Sequence, residues 1–138
     1  MEEASQWPKL DFESWRPTAE TLHMWTQIVG KIRMVQTPWI NHSWHVPLYV
    51  SARGLSTQFI PCSGGGFEIE FDFTRDRLRV SRSDGRSVTW PLQAEPVTAF
   101  YQRLMSTLKD LGLNITIHTT PNEIPDAIPF DQDEVHRS

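Results

Sequence analysis

The chain has 138 residues, of which 38% are hydrophobic, 22% charged and 11% aromatic, which suits one domain with one core and excludes disordered, collagen-like and low-complexity classes. The formal charge of −4 is local, because residues 121–138 hold Glu123, Asp126, Asp131, Asp133 and Glu134 against Arg137, while residues 1–120 carry 12 acids and 12 bases. A neutral body lacks the basic footprint of a general nucleic-acid binder, and no apolar run approaches the roughly 18 residues that span a bilayer.

Met1-Glu2-Glu3-Ala4 has neither the basic nor the apolar region of a secretory signal, and Cys62 is the lone cysteine. A reducing, cytoplasmic setting is therefore expected. Residues 1–17 read as an extended leader in which Trp7, Leu10, Phe12 and Trp15 anchor onto a surface while Pro8 and Pro17 resist helix. A single domain spans residues 18–120. From Thr18 as N-cap, a first helix runs to about Gln36, because Leu22, Trp25, Val29, Ile32 and Gln36 recur at helical spacing, and Pro38 ends it.

The opposite face of this helix gathers His23, Thr26, Gln27, Gly30, Lys31 and Met34, with one formal charge where a solvated face carries several. Gly30 in mid-helix costs about 1 kcal/mol against alanine, which close approach of another backbone or a ligand would offset. The face is either a second packing surface or the lining of a ligand site.

Strands follow. Trp44, Val46, Leu48 and Val50 alternate with polar neighbours, and Pro47 confines that strand to a sheet edge or a bulge. An Arg53-Gly54 turn into residues 55–61 sets Leu48 opposite Phe59 and Val50 opposite Thr57. Ser63-Gly64-Gly65-Gly66 reads as a flexible link. Phe67, Ile69, Phe71 and Phe73 then alternate with Glu68, Glu70 and Asp72, a half-buried strand with an acidic outer face. An Arg75-Asp76 turn sets Phe71 opposite Val80, Phe73 opposite Leu78 and Asp72 opposite Arg79. A three-residue Ser83-Asp84-Gly85 loop pairs Val80 with Val88 and Leu78 with Trp90, whereas a two-residue loop would send Val88 and Trp90 to the charged face.

Pro96 opens a second helix with the stripe Val97, Phe100, Leu104, Leu108 and Leu111, and Gly112 closes it. Residues 113–118 form a last strand. Residues 121–138 are an acidic, proline-rich tail, packed on the domain or trailing from it, with Ile124, Ile128 and Phe130 as anchors. The predicted fold is α+β, an antiparallel sheet of about six strands with two helices on one face, in the order α-β-β-β-β-β-α-β.

The densest polar cluster is Asn41-His42-Ser43-Trp44-His45. His42 and His45, with His23 or Glu68, would make a metal trio, but two positions three apart on a strand point their rings to opposite faces, so no metal is assigned. His23, Gln27 and Lys31 rise along one side of the first helix, and His45 and Tyr49 share a face of the adjacent strand. With Asn41 and His42 these residues outline a site for a small anionic or carbonyl ligand, Lys31 and Arg33 supplying charge and a histidine supplying a proton near neutral pH. The alternative is an interaction or assembly module that packs the same helix face against a second copy or another domain. No spacing names a reaction or a cofactor. Cys62 reads as packing, not as a nucleophile, and the Ser63 to Gly66 run lacks the Gly-Lys-Ser/Thr ending of a phosphate loop. Arg75, Arg77, Arg79, Arg82 and Arg86 face enough acids to read as a solvated, salt-bridged hairpin.

Four stretches together carry a resemblance: Trp25-Thr26-Gln27-Ile28-Val29-Gly30-Lys31-Ile32-Arg33; Asn41-His42-Ser43-Trp44-His45-Val46-Pro47-Leu48-Tyr49-Val50 with Arg53-Gly54-Leu55; Phe67-Glu68-Ile69 with Phe71-Asp72-Phe73; and Pro121-Asn122-Glu123 with Ile128-Pro129-Phe130. The chain resembles, over nearly its whole length, a bacterial family known only as a domain of unknown function. The resemblance implies no activity. Family members often continue past the position matching His136, which implies either a missing C-terminal region or a naturally short member. A missing region would pack on the weakly charged face of the first helix.

Overall fold

The computed structural model describes residues 11–36, 48–117 and 128–136. Helix α1 (Phe12–Gln36) precedes strands β1 (Tyr49–Val50), β2 (Gly54–Ser56), β3 (Ile60–Cys62), β4 (Gly65–Asp72), β5 (Arg77–Arg82) and β6 (Ser87–Pro91), followed by helix α2 (Val97–Asp110) and a single 3-10 turn, Phe130–Gln132. Two helices and a six-stranded antiparallel sheet make an α+β fold. No helix among the described residues is long and apolar enough to cross a membrane.

Helix α1 begins six residues earlier than the prolines suggested. Asp11, not Thr18, is the cap: its carboxylate accepts the Glu13 N–H, and its carbonyl accepts the Ser14 hydroxyl and the Trp15 N–H. Residues 12–17 are therefore helical, with Pro17 inside the helix. The ring removes the N–H that would bond the Glu13 carbonyl, and Glu13 is exposed, so water can satisfy the freed oxygen. Arg16 bridges Glu13 and Glu20 at 3.5 Å each and braces the same turn.

The sheet runs in the order β1-β2-β4-β5-β6, with β3 also paired to β4. Strands β2 and β3 are one strand broken at a bulge. Thr57 donates its N–H to the Ile69 carbonyl and Ile60 lies opposite Phe67, so Gln58 and Phe59 together oppose Glu68. Gln58 takes a left-handed φ of 56°, and Ser56 and Thr57 hydroxyls hold the kink by accepting the Gln58 and Ile69 N–H groups.

Three registers differ from the simplest turn assignments. Tyr49 faces Ser56 and Val50 faces Leu55, so the β1–β2 loop is Ala52-Arg53, closed by Ser51 on Gly54, not Arg53-Gly54. A Cβ on Gly54 would stand 2.1 Å from the Phe71 carbonyl oxygen, so this strand position admits only glycine. The Ser63-Gly64 pair is a tight hairpin turn between β3 and β4, since Cys62 faces Gly65. Phe71 faces Leu78 and Asp72 faces Arg77, a shift of two from the Arg75-Asp76 turn. An even shift keeps every side chain on its own face, so hydrophobic alternation cannot choose between the two. Phe73 moves from the inner face into the turn and is 40% exposed. The three-residue loop between β5 and β6 is as expected, with Val80 opposite Val88, Leu78 opposite Trp90 and Gly85 at φ 94°.

The inner face of β4 and β5 (Phe67, Ile69, Phe71, Leu78, Val80) meets Ile28, Val29 and Ile32 of α1 and Val97, Phe100, Leu104 and Leu108 of α2 in one core. Each of these burials contributes about 1.5–3 kcal/mol. Trp25 stacks on Phe100 with centroids 4.7 Å apart, and Trp90 meets the same ring edge-on at 5.4 Å.

Both ends of α2 are closed from elsewhere in the chain. Pro96, its N-cap, makes no side-chain capping bond. The Val97 and Thr98 N–H groups instead reach the carbonyls of His136 and Asp133. At the other end Gly112, at φ 77°, bonds the Lys109 carbonyl, and the Arg82 and Arg86 guanidinium groups donate to the Leu111 carbonyl. Residues 113–117, expected as a strand, have no ladder partner; Leu113 and Ile117 are buried beside α2 as extended coil, and the sixth strand comes from β3.

Candidate functional site

The helical extension of α1 creates a site that an extended leader would not. Trp15, Thr18, Leu22 and Trp25 follow i, i+3, i+7, i+10 spacing along one stripe of α1. That stripe stands over the end of the sheet where the β4–β5 turn meets the segment after β6. Between them lies a cavity of about 520 Å³, walled by Trp15, Leu22, Trp25, Phe73 and Leu92 and edged by Thr18, Asp76 and Gln93. Its size falls in the range of small-molecule sites, and its walls are mostly apolar.

The turn that forms the floor is held from both sides. The Asp72 carboxylate accepts the Thr74 hydroxyl at 2.6 Å and the N–H groups of Thr74 and Arg75 at 3.0 and 3.2 Å. These bonds, the Thr74 hydroxyl first, hold its pKa below the usual aspartate value despite burial. Asp76 adopts φ 49°, and its carbonyl accepts the Leu92 N–H at 2.7 Å, tying the turn to the segment that leads into α2. Farther along, Glu95 is buried against Arg103 at 3.0 Å, and Arg103 lies 5.0 Å over the Trp90 ring. Burial raises the Glu95 pKa even with that partner.

The residues expected to form a polar pocket are distributed differently. His23 and Gln27 meet, Nε2 to Nε2, at 3.3 Å on the outer part of α1. Lys31 is 4% exposed, and its ammonium lies 5.5 Å from the centroid of the Phe130 ring. Tyr49 lies beneath the Arg33 guanidinium at 4.9 Å. Asn41, His42 and His45 fall outside the described residues. Among the described residues no group of three or more His, Cys, Asp or Glu side chains is placed to hold a metal ion.

The acidic outer face of the sheet is balanced as a network. Arg53 grips Glu70 through two bonds of 3.2 Å, and Arg77 reaches Asp72 at 3.8 Å. Glu70, not Asp72, lies opposite Arg79. Arg82 and Arg86 share Asp84 as well as the end of α2. Each exposed pair contributes little individually, but together they leave this face close to neutral.

Sequence reasoning missed Trp15, Phe73 and Asp76 as cavity residues. The Trp15 signal was present, since its spacing continues the Leu22 and Trp25 stripe, but Pro17 concealed it. Phe73 and Asp76 depend on the two-residue register shift, for which alternation carries no signal.

No curated protein and no solved structure matches the chain. A sequence model of a family of unknown function, DUF5996, matches residues 7–138, and the chain belongs to that family.

Proposed function

We propose that this domain binds a small molecule with a largely apolar body, held in the cavity between the first half of α1, the β4–β5 turn and the segment after β6. The supporting observation is the cavity itself, about 520 Å³ with two indoles, a phenyl ring and two leucines on its walls. Apolar walls of this kind gain dispersion contacts when a molecule of matching shape lies against them. We favour this reading over the small anionic or carbonyl ligand expected around Lys31, whose ammonium lies 5.5 Å from the centroid of the Phe130 ring. A cytoplasmic setting belongs to the same proposal and rests on the lone Cys62, which has no second cysteine in the sequence to pair with.

The test is a solution titration of the chain with indole and with 2-phenylethanol, read by amide chemical shifts. Saturable shifts centred on Leu22, Trp25 and Leu92 are expected, and Ala94→Phe, which puts a ring at the cavity wall, should abolish them while leaving the thermal midpoint intact. Shifts scattered over the surface, or unchanged in the Ala94→Phe protein, would defeat the proposal. In an interaction module the same walls would receive an apolar side chain from a partner, and self-association lost in Ala94→Phe would point there.

A further inference from the structure

We infer that the cavity selects an organic cation, a protonated or quaternary amine carried on an apolar body. This rests on the cavity being a ligand site and names the chemistry of what enters it.

Three aromatic residues, Trp15, Trp25 and Phe73, line the space, and among the described residues no lysine, arginine or histidine does. The faces of such rings are negative and attract cations, tryptophan most strongly. Elsewhere in this fold the protein's own cations use aromatic faces in that way: Arg16 over Phe12, Lys31 over Phe130, Arg33 over Tyr49 and Arg103 over Trp90. Among the described residues no cation lies over Trp15, Trp25 or Phe73.

Among the described residues one acidic residue, the exposed Asp76, edges the same space. Acids of neighbouring turns and segments have an arginine close by: Asp72 has Arg77 at 3.8 Å, Asp84 has Arg86 at 2.8 Å and Glu95 has Arg103 at 3.0 Å. Asp76 makes no ion pair with any described residue, although the chain around it is rich in arginine. It is also firmly placed, its backbone turned at φ 49° and pinned by the 2.7 Å bond from Leu92. Aromatic walls, an acidic residue without an ion pair and, among the described residues, no basic side chain form a pattern complementary to an alkylammonium group. The same pattern repels a carboxylate or phosphate, and it offers a neutral isostere the walls alone.

The experiment titrates the full chain at pH 7 with 2-phenylethylamine, 2-phenylethanol and phenylacetate, which share a ring and differ in charge. The amine is expected to bind about tenfold tighter than the alcohol, and phenylacetate weakest. Asp76→Asn keeps a residue that tolerates the left-handed backbone. It should preserve the thermal midpoint and the alcohol affinity while reducing the amine's advantage to the part the aromatic faces supply. Equal affinities for amine and alcohol in the unmodified chain, or an amine preference undiminished in Asp76→Asn, would overturn the inference and leave the apolar cavity standing. Binding of none of the three probes would overturn both.

Discussion

The Lys31 ammonium lies 5.5 Å from the centroid of the Phe130 ring, and both residues are buried, Lys31 at 4% exposure and Phe130 at zero. The contact joins the middle of α1 to the C-terminal segment whose carbonyls cap α2. Removing the ring in Phe130→Ala should cost about 3–5 kcal/mol, read by urea unfolding. Hydrogen exchange at the Val97 and Thr98 amides should accelerate more than elsewhere, because the carbonyls that accept them are released. A loss below about 1 kcal/mol would show that the ring does not hold the segment.

Lys31 also gives stability a pH dependence. Burial lowers its folded pKa below the ordinary 10.5, so between those two values the unfolded chain holds a proton that the folded chain has shed. Stability therefore rises with pH across that window. Lys31→Met, which keeps the length and discards the charge, should flatten the rise; an unchanged alkaline slope would place its origin elsewhere.

Asp72 gives a rise of stability with pH of the same sign, in an acid window. Its folded pKa lies below the ordinary 3.8 because the Thr74 hydroxyl and two turn N–H groups favour the charged form. Its contribution is complete above 3.8 and disappears as pH falls through the depressed folded value. Asp72→Asn can keep the turn through its amide oxygen but not the charge. The stability gap between the two proteins should be widest near neutrality and close in acid. A gap independent of pH would mean that only the turn geometry matters.

The bulge and the neighbouring hairpin make contrasting glycine predictions. Gln58 is a non-glycine residue at φ 56° with an exposed side chain, so Gln58→Gly should gain about 0.5–1 kcal/mol. Gly54→Ala should lose about 2–4 kcal/mol, because the added methyl meets the Phe71 carbonyl. Equal and small effects from both would contradict the backbone described at β2.

Arg82 closes the C-terminal end of α2 and is mostly buried, its side chain 16% exposed. Arg82→Met removes a charge-assisted bond to the Leu111 carbonyl while keeping the aliphatic stem. About 1–2 kcal/mol should be lost, less than a sole cap would cost because Arg86 reaches the same oxygen. The comparison is by thermal unfolding against Arg86→Met, which should lose less since that side chain is 52% exposed.

Much of this fold was legible where short-range chemistry decides it. The α2 stripe, its Gly112 terminus and the Gly85 loop follow from spacing and from one backbone requirement each. Legibility failed where two local solutions were equivalent. Pro17 argued for an extended leader, yet the chain is helical from Phe12 behind the Asp11 cap, because Glu13, whose carbonyl the proline leaves unbonded, is exposed. At the β4–β5 hairpin two registers differing by two residues preserve the same faces, so the choice fell to Asp72 bonding with Thr74. The candidate cavity depends on both decisions, since Trp15 follows from the first and Phe73 and Asp76 from the second. Lys31 stood out in the sequence on a weakly charged helix face, but its neighbour is a ring about a hundred positions away in the sequence, which no periodicity reveals.

The capping of α2 bears on how the chain is made. Its first two N–H groups are satisfied by carbonyls at positions 133 and 136, so the helix cannot be completed at its own N-terminus until those residues have left the ribosome. The sheet, whose partners are mostly adjacent in sequence, is translated well before that point and can assemble first. During synthesis the inner face of the sheet therefore waits beside a helix frayed at Val97, and residues 130–136, emerging later, close the core that the first strands began.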